Sequence, residues 1–399
     1  MIDIQQLYQQ QNNELHNILK YWIDNTLDVA HGGFVGQIDH FNHVVPGASK
    51  GAVLNARILW TFSAAYRFTR QAEYLQVAEN AFNYLLLHFW DKQHGGLVWE
   101  VDANGKVLNG RKQIYAQGFG VYGFSEYYRA SGNTLALDKA IELYRLIEKH
   151  SYDAKDGGYI EALAQDWSPL EDMRLSPKDA NEPKSMNTHL HILEPYTNLL
   201  RVWDDAGLKK QVRSLIRIFL DKIIDSQTAH FQLFFGMDWE VRSQIVSYGH
   251  DIEGAWLLTE AAHVLGDDAL TAEVEKMAIR MVDVTMNEGG DTDGSIFYEL
   301  ETDHNHLDTD KHWWPQAEAM VGLAWAWKIT GNADYLGMLD KSWRFIDKYI
   351  IDRKNGEWFW RVNKDGAPYT TEDKAGFWKC PYHNSRALME VMEVLHAKR

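Results

Sequence analysis

The chain has 399 residues, 45% hydrophobic and 24% charged, which argues against disorder and provides ample material for a buried core. Forty Lys and Arg against fifty-six Asp and Glu give a formal charge of −16 with no basic run, so nucleic acid and anionic membrane surfaces are poor partners and a neutral small molecule fits better. The single cysteine, Cys380, excludes an intrachain disulfide and any multi-cysteine metal site.

From the amino terminus, MIDIQQLYQQQNNELHNIL lacks a basic segment followed by an apolar stretch, and nowhere do eighteen apolar residues run together. A cytoplasmic, monomeric protein is expected. A turn then recurs about every sixty residues: DVAHGGFVG at 28–36, DKQHGGLVW at 91–99 and DAKDGGYIE at 153–161, with weaker copies beginning at Asp225, Asp291 and Asp352. Each leads an Asp-containing, mostly Gly-containing turn into a short alternating apolar strand, the pattern of a small hairpin.

Two sets of helices alternate between these hairpins. The first, over 5–25, 71–90, 134–150, 208–224, 268–286 and 333–350, is amphipathic with charged faces. The second, over 49–68, 111–131, 184–203, 248–265, 312–330 and 380–397, is richer in Ala, Gly and aromatics. Charged faces predict an outer ring and small or aromatic residues an inner one, so the six pairs predict an all-α fold, an (α/α)6 barrel occupying 1–399 as one domain, with the hairpins at one end. A superhelical solenoid is the alternative.

A closed barrel gathers the starts of the inner helices around one mouth. There the sequence places Arg57 and Trp60, then Tyr115, then Asn187 and His191, then His250, Glu253 and Trp256, then Trp313, Trp314 and Glu318, and finally Trp378, His383 and Arg386. Several pairs are three or four residues apart and share a helix face. The chain holds 16 Trp and 19 Tyr, and flat apolar faces with a polar handle suit sugar rings. His189 and His191 are two apart and point to different faces, and HExxH is absent, so zinc is not expected. The stretch DHNHLDTDKH (303–312) could hold a cation, but a polar loop is the preferred reading. No phosphate-binding or dinucleotide motif is present in the right context.

MNTHLHILEPY, SYGHDIEGAWLL, WWPQAEA and WKCPYHNSRA resemble the motifs of the cellobiose 2-epimerases within the N-acylglucosamine 2-epimerase superfamily, over about 48–392. The resemblance implies an (α/α)6 barrel that, without cofactor or metal, interconverts the C2 configuration of the reducing-end glucose of β-1,4-linked disaccharides: cellobiose to glucosyl-mannose, lactose to epilactose. It also implies essential roles for His191, His250 and His383, with Arg57, Tyr115, Asn187, Glu253, Trp256, Trp313, Trp314, Glu318, Trp378 and Arg386 as supporting positions.

Such chemistry needs ring opening and then two groups on opposite faces of a planar enediolate, one removing the C2 proton and one returning another. Histidine, with an ordinary pKa of about 6.5, can do both near neutrality. His250 and His383 are assigned to the two faces and His191 to O1, O2 or ring opening. Glu253 is expected to hold the tautomer of His250, Arg57 to stabilise the enediolate oxygen, and the tryptophans to stack on sugar. The rivals are an aldose-ketose isomerase, an N-acylglucosamine 2-epimerase, an inverting glycoside hydrolase using Asp251, Glu253 or Glu318, and a non-catalytic sugar-binding module.

Overall fold

The structure, a computed structural model, describes residues 2–397. Among them twelve α-helices follow in six pairs: α1 (Ile4–Thr26) and α2 (Ala52–Thr69), α3 (Ala72–Tyr84) and α4 (Ile114–Ser131), α5 (Thr134–His150) and α6 (Met186–Leu200), α7 (Ala206–Ile218) and α8 (Tyr248–Leu265), α9 (Asp268–Val284) and α10 (Trp313–Thr330), α11 (Ala333–Phe345) and α12 (Tyr382–Ala397). The even-numbered helices pack in sequence, α2 on α4 through to α10 on α12, and α12 returns to α2. The ring is therefore closed, an (α/α)6 barrel rather than a solenoid, with the odd-numbered helices packed on its outside. None of the helices is long and apolar enough to cross a membrane.

Burial follows from the two helix compositions. In α2, residues 52–65 are buried without a break, as expected for a helix with neighbours on all sides. In α7 only Leu208, Val212, Leu215 and Ile216 are buried, one stripe on an otherwise charged cylinder. Inner helices approach closely where glycine replaces a side chain: a Cβ on Gly118 of α4 would lie 2.2 Å from the carbonyl oxygen of His191 in α6. A left-handed residue ends α2, α4, α8 and α10 (Arg70, Gly132, Gly266 and Gly331), turning the chain straight into the next outer helix.

The predicted segments agree with these spans, with one refinement. Outer helices α3, α7, α9 and α11 each finish in a five-residue π-helical turn, at Leu85–Phe89, Phe219–Ile223, Thr285–Gly289 and Ile346–Ile350. Every predicted hairpin closes, with antiparallel bridges Leu27–Phe34, Trp90–Leu97, Tyr152–Tyr159, Ile224–Phe231, Gly290–Ile296 and Ile351–Trp358. The fourth copy lacks the glycine pair and uses Ala229 at φ 65° instead, a costlier choice that explains its weak sequence signature. The segment 303–312 forms a hairpin tip and its return strand, His306–Asp308.

A buried ion pair pins five of the six hairpins to the chain entering the next inner helix. Lys50 meets Asp28 at 2.8 Å, Lys112 meets Asp91 at 2.9 Å, Lys184 meets Asp153 at 2.8 Å, Lys311 meets Asp291 at 2.7 Å and Lys374 meets Asp352 at 2.6 Å. Four of these lysines lie two residues before the helix, and there the fourth repeat carries Val246. Breaking a buried pair from one side strands the other charge. Lys112→Met is therefore expected to lower stability by about 3 kcal/mol, read from the urea midpoint; an unchanged midpoint would show that the pin carries no load.

Candidate active site

The first turns of the inner helices fix the functional side chains. At the start of α6, Ser185 caps the helix by accepting from the Thr188 N–H, and the buried Glu161 carboxylate accepts from the hydroxyls of both Ser185 and Thr188. His189 faces the preceding hairpin: its Nε2 accepts from the Tyr159 N–H at 2.9 Å and its Nδ1 donates to the Ser185 carbonyl at 2.6 Å. His191, two residues on, projects to a different face, where Nδ1 lies 2.9 Å from Oε2 of Glu194. The expected divergence of the two histidines is what the helix produces.

His250, in the first turn of α8, has its Nδ1 2.7 Å from the Ser247 hydroxyl. This corrects the expectation that Glu253 holds that imidazole. Glu253 shares the helix face, but its carboxylate is drawn to a buried cation, accepting from Nη2 of Arg386 at 2.7 Å. His383, at the start of α12, has Nδ1 2.7 Å from Oε1 of Glu318. The same Glu318 oxygen accepts from Nη2 of Arg386 at 2.7 Å, and its other oxygen from the Trp256 indole at 2.9 Å. Nη1 of Arg386 bonds Glu194 and the Tyr382 hydroxyl, and that hydroxyl donates to Glu194.

Arg386 and Trp256 are each 1% exposed, as is His191, and both are bonded to carboxylates of the site. Arg57 donates from Nη2 to the Tyr115 hydroxyl at 2.7 Å, and its guanidinium lies 4.2 Å above the Phe119 ring. Tyr115 meets His191 edge-on at 5.0 Å. Trp314 is half-buried and touches two of the imidazoles, His250 at 4.6 Å and His383 at 5.7 Å between ring centres. Trp313 stands edge-on to His383 at 6.4 Å, and Trp378 packs near Tyr115 at 6.1 Å. Asn187 is half-buried with its Oδ1 unpartnered. The sequence reading missed Glu194, Ser247 and Tyr382, although Glu194 stands three residues after His191 and the same helical spacing had flagged Glu253.

Electrostatics sort the carboxylates. Burial would raise Glu318, but Arg386 and His383 outweigh it and bring it down to about 2. Glu194 is likewise held below its usual range by Arg386 and His191, against burial. Glu253, buried and facing the Glu318 charge, is pushed well above the ordinary value. An ionised carboxylate can only accept, so Nδ1 of His191 and of His383 must donate, and each presents the Nε2 lone pair. The Ser247 hydroxyl can donate or accept, which leaves either tautomer open to His250.

Glu253, Glu318 and His383 bring three ligand-type atoms within 4.8 Å of one another, but the Arg386 guanidinium already bonds both carboxylates there. That closeness, and their common partner, also leave no room for the roughly 6.5 to 9.5 Å separation an inverting hydrolase needs. Asp251, the third carboxylate considered, is engaged elsewhere, accepting from the Phe231 N–H and pairing with His230, both at 2.7 Å.

Burial lowers His189 to about 4 and His250, His312 and His383 to about 3. In the unfolded chain each protonates near about 6.5. The unfolded state therefore binds more protons as pH falls below that value, and stability is full above it and declines toward the folded values. From pH 7 to pH 5 these histidines lower the urea midpoint, while Glu161, Glu253 and Glu390, whose carboxyls burial raises, act in the opposite direction, so the parent is expected to lose more stability over that range than His383→Asn. Equal pH slopes in parent and His383→Asn would contradict a buried neutral imidazole there.

Residues 32–387 match the family model described as N-acylglucosamine 2-epimerase (GlcNAc 2-epimerase). The chain is 48% identical to a cellobiose 2-epimerase of Bacteroides fragilis over 97% of its own length and 98% of that protein, and 34% identical to one of Dictyoglomus turgidum over 97% of each. The solved cellobiose 2-epimerase of Bacillus thermoamylovorans superposes with a TM-score of 0.93 at 39% identity, covering 98% of this chain and 99% of that one. With the closed barrel and these motifs in place, the chain belongs to the N-acylglucosamine 2-epimerase family, and it is similar over nearly its whole length to cellobiose 2-epimerases.

Proposed function

We propose that the chain, acting as a single catalytic domain, epimerises C2 of the reducing-end glucose of β-1,4-linked disaccharides, taking cellobiose to glucosyl-mannose and lactose to epilactose. The observation that carries this reading is the trio of imidazoles on α6, α8 and α12, each anchored through Nδ1, with no protein partner at Nε2 among the described residues. The chain's similarity to cellobiose 2-epimerases supports the same substrate class.

The sugar ring opens first, because the C2 proton is acidic only beside a free C1 carbonyl; His191 serves this step. His250 and His383 then act on opposite faces of C2. One Nε2 takes the proton, the electron pair moves into the enediolate, and the other imidazole, in its protonated form, delivers a proton to the far face. Arg57 faces the developing oxyanion; one well-aimed donor contributes about 3 kcal/mol to such a transition state. Glu318 behind His383 stabilises the imidazolium that forms there, whereas Ser247 behind His250 adds no charge. Trp313, Trp314 and Trp378 supply the stacking faces, and Asn187 and Tyr115 hydroxyl contacts.

Turnover of cellobiose in heavy water tests the proposal. The epimer is expected to carry close to one solvent deuterium at C2, and both His250→Asn and His383→Asn to lose epimerisation while staying folded. Unlabelled epimer at early conversion would refute proton transfer between two bases, a ketose product would assign an isomerase, and preference for N-acetylglucosamine would move the substrate class.

Ser247→Ala isolates the orienting contact. It is expected to lower kcat about tenfold, less than the roughly 10²- to 10⁴-fold that a general acid or base itself contributes because the imidazole remains, with KM and thermal stability close to the parent. A parent-like kcat would remove Ser247 from the mechanism.

A further inference from the structure

The fourth repeat lacks the lysine pin and departs from the others at two further positions. The residue ahead of the bridged apolar strand residue is Gly33, Gly96, Gly158, Ser295 or Glu357 elsewhere, and His230 here. The fourth residue of the inner helix, which accepts from that apolar residue's N–H, is neutral in α4, α6 and α10 (Gln117, His189 and Gln316) and is Asp251 in α8. The two departures meet. His230 Nδ1 lies 2.7 Å from Oδ2 of Asp251, and its Nε2 lies 3.1 Å from Oε2 of Glu288, in the π-helical turn that ends α9.

Both ring nitrogens thus face a carboxylate, whereas a neutral imidazole has one N–H. Only the imidazolium, or the same proton held on Asp251, satisfies both contacts. Asp251 directly follows His250, and the helical turn they share starts from Ser247. A Cβ on Gly249 of that turn would lie 2.6 Å from the Trp314 ring, so hairpin, turn and stacking wall are in contact. We propose that His230 is a positioning residue: clamped as an imidazolium between Asp251 and Glu288, it does for the fourth hairpin what lysine does for the others, and holds the first turn of α8 in place with Ser247 and His250. The groups facing the ring are Asp251 and Tyr248 from α8, the latter at 6.0 Å between ring centres, and Glu288; Arg280 of α9 donates to the carbonyls of Ser226 and Gln227 in the same hairpin. Burial opposes a charge on His230, but Asp251 and Glu288 outweigh it and raise the imidazole above its ordinary value. Burial raises Asp251 as well, against the pull of His230, so the pair retains its proton from either side. A histidine raised in this way stabilises fully below the unfolded value of about 6.5 and loses that contribution as pH climbs through the folded one, the reverse of His189, His250, His312 and His383.

Histidine NMR on the whole chain tests the proposal, with the His230 signal assigned by its loss in His230→Gln. In the parent that signal is expected to titrate above the ordinary value of about 6.5, and at lower pH in Glu288→Gln, which alters a side chain 55% exposed and is expected to keep the fold. The His250 signal, assigned by its loss in His250→Asn, is expected to move in His230→Gln. A kinetic arm, which alone rests on the epimerase reading, follows kcat for cellobiose against pH. His230→Gln is expected to lower kcat about tenfold at pH 6.5 with KM close to the parent, less than the roughly hundredfold that a full ångström of misplacement costs, and the parent-to-variant ratio to fall toward one by pH 9 as the parent loses its imidazolium. A His230 midpoint at or below the ordinary value, indifference to Glu288→Gln, or an unmoved His250 signal would each overturn the proposal whatever the substrate. A kcat ratio that does not change with pH would overturn the role of the charge.

Discussion

One guanidinium holds the candidate site together. Arg386 is buried at the centre of the inner ring and bonds three carboxylates delivered by three other helices, Glu194 of α6, Glu253 of α8 and Glu318 of α10. Two of these carry an imidazole on their far side. A single cation cannot balance three anions in a medium of low polarity, so the set resolves by proton uptake at Glu253, while the two carboxylates that orient histidines stay ionised. The charge states that fix the tautomers of His191 and His383 thus descend from one side chain.

His250 stands outside that system. Its partner is a hydroxyl from the preceding strand residue, not a carboxylate, and His191, His383 and Glu318 act on it only through space. Two imidazoles in contact with one tryptophan therefore have unlike backing, one anionic and one neutral. The difference arises where the repeat itself is irregular: four other repeats place a lysine two residues before the inner helix, pinned to a hairpin aspartate, and the fourth has Val246 there, followed by Ser247. Loss of the pin and gain of the serine fall in adjacent positions.

Much of the barrel was legible because its signals are local and repeated. Asp-Gly turns mark the hairpins, and the contrast between a one-sided stripe such as that of α7 and the all-round burial of α2 marks outer and inner rings. The site histidines were legible because a helix start after each turn is a predictable address. The lysine pins were not, since a lysine some twenty residues after an aspartate has no period to betray it. The partners of Trp256 and Arg386 were equally hidden, since only the crossing of helices brings both to Glu318. Glu253 failed as a partner for His250 because spacing gives adjacency, whereas the direction of a carboxylate is decided by the strongest cation within reach.

Ring closure falls to α12, the last helix, which touches α10, α1 and α2 and contributes both His383 and Arg386. The helix that seals the ring is thus also the one that supplies the common cation of Glu194, Glu253 and Glu318 and one of the three imidazoles. Closing the barrel and neutralising its buried anions are one and the same contact, so neither can be lost without the other.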